Sequence, residues 1–210
     1  MNHRILIITG SYSPDWPVAA ATAASKRAYA VRHGYAFLEF GPWPKDTFCW
    51  QKIELARHFL KSFDTVVWFD PDTLITNPTI TVESLIDGEH GCFISHDWSV
   101  SDLLRMPKES WVSAGNIVFT KAADPLLCEM IRLHAMNANW NEQDVLQSVL
   151  TCRMPGWETV RALPGQTLNA VPREIQPSSN NPHDADCLLA HLTCVDDNAR
   201  LRWIEKWENR

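Results

Sequence analysis

The chain has 210 residues, 45% of them hydrophobic, with 19 Lys and Arg against 25 Asp and Glu and a formal net charge of -6. That length and apolar fraction suit one sizeable core, while the acidic balance argues against a nucleic-acid backbone as main partner, since such affinity comes from Lys and Arg neutralising phosphates. No stretch approaches the roughly 18 consecutive apolar residues of a membrane span, and the apolar run after Met1-Asn2-His3-Arg4 is too short for a signal sequence, so a cytoplasmic protein is expected.

In chain order, Arg4-Ile5-Leu6-Ile7-Ile8-Thr9 predicts a strand, continuously apolar as a strand buried on both faces must be, and Gly10-Ser11-Tyr12-Ser13-Pro14 breaks it. The Ala-rich stretch from Val18 to Arg32 predicts a helix, entered at Asp15 or Pro17 and stopped by Gly34. Residues 36–40 predict a second strand. After the Pro42-Trp43-Pro44 turn, Ile53, Leu55, Ala56, Phe59 and Leu60 recur at helical spacing within 50–63. Residues 65–69 predict a third strand. Strand, helix, strand, helix, strand is the pattern of an α/β domain with a parallel sheet, whose ligands bind outside the carboxyl ends of the strands.

Downstream the pattern is mixed. Residues 92–95 and 115–119 predict strands, and 125–137 and 142–150 predict helices. From Pro155 to Asp186 the chain is Pro-rich, with only short apolar runs such as Val160-Arg161-Ala162-Leu163, and reads as loop. Residues 187–192 predict a last strand and 198–207 a tail helix, so the expected division is a main domain over 1–196 and a tail over 197–210. Cys49, Cys92, Cys128, Cys152, Cys187 and Cys194 stand singly, with no CxxC pair, and are expected as reduced thiols, many of them buried. Each of the ten Trp is either packing or a platform for a sugar ring.

The sharpest chemical feature is Asp70-Pro71-Asp72 at the end of Val67-Trp68-Phe69. Two carboxylates this close repel unless a cation lies between them, and oxygen ligands of this type suit Mg²⁺ or Mn²⁺, which keep positions open for two diphosphate oxygens. Read alone, the same triplet is also compatible with a solvated turn or a helix cap.

A wider pattern surrounds it. Lys26, Tyr29, Ala30 and His33-Gly34-Tyr35, then Trp50-Gln51-Lys52 and Val67-Trp68-Phe69-Asp70-Pro71-Asp72, are followed in order by Ser113-Ala114-Gly115-Asn116-Ile117-Val118-Phe119, Glu142-Gln143-Asp144, Leu168-Asn169 and Ala190-His191. This series resembles the galactosyl- and xylosyltransferases of the yeast galactomannan and plant xyloglucan family. The resemblance implies a single-domain α/β protein of the GT-A fold, a Rossmann-like nucleotide-binding sheet with a mixed C-terminal part. It also implies that Asp70 and Asp72 hold the metal with His191 as third ligand, a mixed set that favours Mn²⁺ over Mg²⁺. Without it, His191 reads as a core histidine on an apolar strand.

The resemblance places the base and ribose of a UDP-sugar donor beside Thr9, Gly10, Ser11 and Tyr12, with Tyr12 able to stack on uracil. It gives Lys26 and Lys52 donor contacts, while Gly115-Asn116 ahead of an apolar strand by itself suggests a backbone that approaches a sugar closely, which glycine permits. It sets Glu142, Gln143 and Asp144 against the sugar hydroxyls and anomeric centre. The plain alternatives are an ordinary strand-to-helix turn, solvated helix lysines, a strand-entry bulge, and acids favoured by a helix dipole.

In one respect the chain departs from the family. The glycine and lysine that often follow the family's histidine are replaced by Leu192-Thr193-Cys194-Val195-Asp196, leaving Lys52, Arg200 or Arg202 as phosphate cations. The expected activity is metal-dependent hexosyl or pentosyl transfer to an acceptor hydroxyl with retention, on a glycan, a lipid-linked glycan, a protein or, less in keeping with the acidic charge, a hydroxylated DNA base. A short chain without the anchor of the eukaryotic relatives fits a bacterial or viral enzyme. The rival readings are a phosphatase of the haloacid dehalogenase type and a non-catalytic sugar-binding module.

Overall fold

The computed structural model of the protein describes residues 3–13, 15–42, 44, 48–98, 104 and 110–210. Strand β1 (Ile5–Gly10) is buried along its whole length and pairs in parallel with β2 (Ala36–Phe40) on one side and β3 (Thr65–Phe69) on the other. Between them run α1 (Pro17–His33) and α2 (Phe48–Phe59). Pro17 opens α1, and Gly34 at φ 71 closes it, its N–H donating to the carbonyls of Ala30 and Val31; this left-handed conformation costs a glycine little.

Beyond β3 the sheet changes direction. Strand β6 (Val112–Thr120) is antiparallel to β3 and to β5 (Cys92–His96), and β7 (Val160–Leu163) lies parallel to β5, giving the order β2-β1-β3-β6-β5-β7. Helices α2, α3 (Asp124–Met136) and α4 (Glu142–Cys152) share one core with one face of the sheet, around Trp50, Ile53, Trp68, Ile117, Leu127 and Val145. Tyr29 and Ala30 of α1 cover the other face, with Ile7, Val67, Phe93 and Leu168 of the four-residue helix α5 (Gly165–Leu168).

A second sheet of two strands does the positioning. The chain leaves β3 through Asp70-Pro71-Asp72 and enters β4 (Thr73–Ile75), which pairs antiparallel with β8 (Leu189–His191) and sets His191 opposite Thr73. Helix α6 (Asp197–Glu208), capped by Asp196, packs Trp203 and Ile204 against Val18, Leu74, Ala190 and Leu192.

Three expectations need correction. Residues 160–163 form an edge strand rather than loop, because their backbone pairs with β5 although Arg161 and Ala162 face solvent. Helix α2 ends at Phe59 rather than at residue 63, closing through a turn in which the Phe63 N–H donates to the Phe59 carbonyl. All six cysteines are free thiols, but only Cys92 and Cys187 are buried, while Cys152 and Cys194 are exposed. No described helix is long and apolar enough to cross a membrane.

Candidate metal centre

The Asp70-Pro71-Asp72 loop is fixed through its backbone. The Asp70 N–H donates to the Gly115 carbonyl (3.1 Å) and to Asn116 Oδ1 (3.2 Å), and the Leu192 N–H donates to the Asp72 carbonyl (3.0 Å). From below, Lys26 Nζ donates to the carbonyls of Asp70 (2.7 Å) and Pro71 (3.3 Å) and to the hydroxyls of Thr9 and Thr22 (3.2 Å each). The Thr22 hydroxyl also donates to the Pro71 carbonyl. Lys26 is wholly buried, and burial pulls its ammonium down to about 7 against the opposing attraction of Asp72 and Asp70.

Above this loop, ligand atoms of Asp70, Asp72 and His191 lie within 4.8 Å of one another. His191 Nε2 is 3.5 Å from Asp72 Oδ1 and 3.9 Å from Asp70 Oδ2. Its Nδ1 is 2.7 Å from Asn169 Oδ1; an Nδ1–H donated to that acceptor leaves the Nε2 lone pair aimed between the carboxylates, the way a ligating imidazole is oriented by an outer partner. Gly115 forms the wall. A Cβ there would lie 2.4 Å from His191 Cε1, 2.9 Å from its Nε2 and 3.0 Å from Asp70 Oδ2. Two carboxylates and one imidazole, facing a wall kept clear of side chain, fit a divalent ion of the Mn²⁺ or Mg²⁺ type.

The two carboxylates differ electrically. Burial raises the pKa of Asp70 despite the nearby Lys52. Burial also acts to raise Asp72, but the hydrogen bond and charge of His191, with Arg200 and Lys26, outweigh it and bring the group to about 2. Burial disfavours the His191 imidazolium, yet Asp72 and Asp70 raise its pKa above the ordinary value.

Lys52 links Asp70 to α4. Its Nζ reaches Asp70 Oδ1 (3.2 Å), Glu142 Oε1 (2.9 Å) and the Ala114 carbonyl (2.8 Å), and the Trp68 indole donates to Asp70 Oδ1 (2.6 Å). Burial works to discharge Lys52, but Asp70 and Glu142 keep its pKa above the ordinary value. Gln143 Oε1 accepts from the Ala114 N–H (3.0 Å), whereas the side chain of Asp144 is exposed and its N–H is capped by Asn141.

Several sequence-derived placements change in meaning. Thr9, Lys26 and Asn116, expected beside the donor, are buried, and the protein takes up their polar groups. Asn116 accepts from the Asp70 N–H and the Thr73 hydroxyl and donates to the Leu168 carbonyl (2.9 Å). The close approach that Gly115 permits is to His191 and Asp70, not to open space. Gly10 lies tight against β2, where a Cβ would meet the Phe40 carbonyl oxygen at 2.8 Å. Ser11 borders a cleft of about 350 Å³ with Ser13, Phe40 and Pro42. The Tyr12 ring stacks on Trp16 at 5.6 Å and meets Phe48 edge-on at 5.9 Å. Trp68 and Asn169 stand within the matched motifs, yet the sequence assigns neither a role of its own; their contacts with Asp70 and His191 emerge only where the fold brings them to the ligands.

Residues 1–90 match the model of the galactosyl transferase GMA12/MNN10 family. The chain thus resembles that family over the segment that contains both aspartates. It is 30% identical over 81 residues to the protein named probable alpha-1,6-mannosyltransferase MNN10 of Saccharomyces cerevisiae, a match that takes in 34% of this chain and 21% of that protein's length. A solved glycosyltransferase involved in glycosylation of the major capsid of PBCV-1 superposes with a TM-score of 0.70 at 21% identity, over 99% of this chain and 100% of that one. A galactosyltransferase, LgtC, solved with donor and acceptor sugar analogues, gives 0.60 at 12% identity, over 98% and 94%. Mouse xyloside xylosyltransferase 1 gives 0.53 at 9% identity, over 92% and 98%. At these identities the likeness concerns the fold, and the fold is GT-A.

Proposed function

We propose that the protein is a metal-dependent glycosyltransferase that moves a sugar from a UDP-sugar to an acceptor hydroxyl on a glycan, with retention at the anomeric carbon. The observation that carries this reading is the convergence of Asp70, Asp72 and His191 at the carboxyl end of β3 in a GT-A fold. The family match over residues 1–90 supports it.

Asp70, Asp72 and His191 would hold Mn²⁺ or Mg²⁺, and the ion, when bound, supplies Lewis-acid stabilisation of the charge that develops on the leaving diphosphate. The remaining work falls to the chain. Ser11 and Tyr12 line the approach to the base and ribose at the ends of β1 and β2. Lys52 holds the Glu142 carboxylate at one fixed position, and Gln143, anchored to Ala114, presents its amide from the same helical turn to the transferred sugar. Trp140, 42% exposed and two residues before Glu142, offers an indole face to a sugar ring of the acceptor.

The test is a screen of UDP-sugars for Mn²⁺-dependent hydrolysis and transfer, with the anomeric configuration of the product read by NMR. Turnover that persists in the Asp72→Ala protein sinks the metal assignment. A thermal-shift scan with UDP and Mn²⁺ separates the sugar-binding alternative, because a ligand of the native state must raise the melting temperature; a glycan-only shift favours the non-catalytic module.

A further inference from the structure

Three cations surround the Asp70–Asp72 loop, and their hydrogen bonds divide them. An ammonium has three N–H groups. Lys26 Nζ has four protein oxygens within hydrogen-bond distance, and Lys52 Nζ has three, those of Asp70, Glu142 and Ala114. Both are saturated and buried, so neither has a donor left for a ligand.

Arg200 of α6 differs. Its Nε donates to the Leu192 carbonyl (2.6 Å), Nη1 to Asp197 Oδ1 (2.8 Å) and Nη2 to Asp72 Oδ2 (3.3 Å). A guanidinium carries five N–H groups, so among the described residues one N–H on each terminal nitrogen remains without a protein acceptor. Each of these can donate a charge-assisted hydrogen bond to a phosphate oxygen. The group is also held ready: it lies over the Trp16 ring at 5.5 Å, and the Trp16 indole donates to the same Asp197 that holds Nη1 (2.9 Å).

Its location follows from Asp72, whose Oδ1 faces His191 while Oδ2 faces the guanidinium. One carboxylate therefore separates the ion site from Arg200 by a few ångströms. We infer that Arg200, delivered by the C-terminal helix, is the cation that receives the negative charge of the donor's diphosphate, in place of the lysine missing after His191. This rests on the glycosyltransferase reading above. Arg202 is exposed on the same helix.

The test measures binding rather than turnover, on the full chain. Mn²⁺ alone is titrated by electron paramagnetic resonance, and UDP and GDP are titrated by calorimetry at saturating Mn²⁺, using whichever binds the wild type more tightly. Arg200→Gln is expected to weaken nucleotide binding about tenfold or more, the loss of charge-assisted hydrogen bonds, with Mn²⁺ affinity unchanged or tighter. Arg200→Lys, which keeps the charge but not the fork, should recover part of the loss. Unchanged nucleotide affinity in Arg200→Gln overturns the inference, and so does a parallel loss of Mn²⁺, which would make Arg200 only a support for Asp72. If Arg200→Gln does not fold, Arg200→Lys decides, and wild-type nucleotide affinity in that variant overturns the inference. Failure of the wild type to bind Mn²⁺ or either nucleotide defeats the parent reading instead, which keeps the two failures apart.

Discussion

Asp70 and Asp72 are one residue apart, yet two different parts of the molecule hold their side chains. Asp70 is served by the regular half: Trp68 of β3 and Lys52 of α2 both reach its Oδ1. Asp72 is served by the irregular half, through His191 at the end of a three-residue strand and Arg200 on the last helix. The electrical outcome also differs: burial raises the pKa of Asp70 against Lys52 and Trp68, whereas His191, Arg200 and Lys26 outweigh burial and lower Asp72 to about 2. A metal site between them is complete only when the two halves meet, so the fold of residues 110–210 is as necessary to it as the motif itself.

The largest effect that tests this comparison is loss of the shared centre. Asp72→Ala should abolish Mn²⁺-dependent donor turnover while the protein stays folded, as judged by circular dichroism. Next comes Gly115→Ala, which removes no ligand. Its methyl would have to displace His191 and Asp70 from 2.4 Å and 3.0 Å, and overpacking of this kind costs about 1–3 kcal/mol. We expect turnover to fall with Mn²⁺ affinity; a variant with wild-type affinity would show that the wall is not tight.

How much of this was legible from the sequence follows the same division. Strands β1 to β3 and helix α1 announce themselves by continuous apolar runs, by Pro17 and by Gly34, all local signals read within a few residues. Strands β4 and β7 do not, and β8, legible as a strand within 187–192, gives no sign of its pairing with β4. Three residues carry no period, and Arg161 sits in an edge strand whose pairing with β5 spans nearly 70 residues of chain. The same holds in the site: Asp70, Asp72 and His191 were readable from motif and resemblance, whereas the Nδ1 contact of Asn169 and the saturation of Lys26 and Lys52 depend on tertiary neighbours. A lysine on a helix reads as solvated or ligand-binding, and nothing in sequence says that its three donors are already taken.

Asn169→Ala should therefore sharpen the comparison, because it alters only the outer support of the irregular half. Freeing the imidazole is expected to weaken Mn²⁺ binding about 10- to 100-fold, with little change in melting temperature. A smaller effect distinguishes the carboxylates in the metal-free protein. Asp72 has its folded-state pKa depressed to about 2, so its stabilisation is complete above the unfolded value near 4 and is lost as pH falls toward 2, a term on the order of 2 kcal/mol. Asp70, with its pKa raised, has the opposite sign and weakens the fold as pH rises past its unfolded value. At pH 7 Asp72→Asn should lower the metal-free melting temperature and Asp70→Asn should raise it. Shifts of equal sign would erase the electrical contrast.

The smallest effect concerns the backbone. In the first half, every described residue with a positive φ is glycine, namely Gly34, Gly41 and Gly88; in the second, Arg153 at φ 50 and Cys194 at φ 60 are not. Cys194 lies between His191 and Arg200, where the chain must turn from strand β8 into the helix that carries the guanidinium. Its Cβ crowds the following carbonyl in that conformation, at a cost of roughly 1 kcal/mol that glycine avoids. Cys194→Gly should then raise the melting temperature by about 2–4 °C, the shift expected for such a gain in a chain of this size, and leave Mn²⁺ affinity unchanged. A drop in stability would mean that the entropy glycine adds to the unfolded chain outweighs the relief, and that the turn toward Arg200 is not strained.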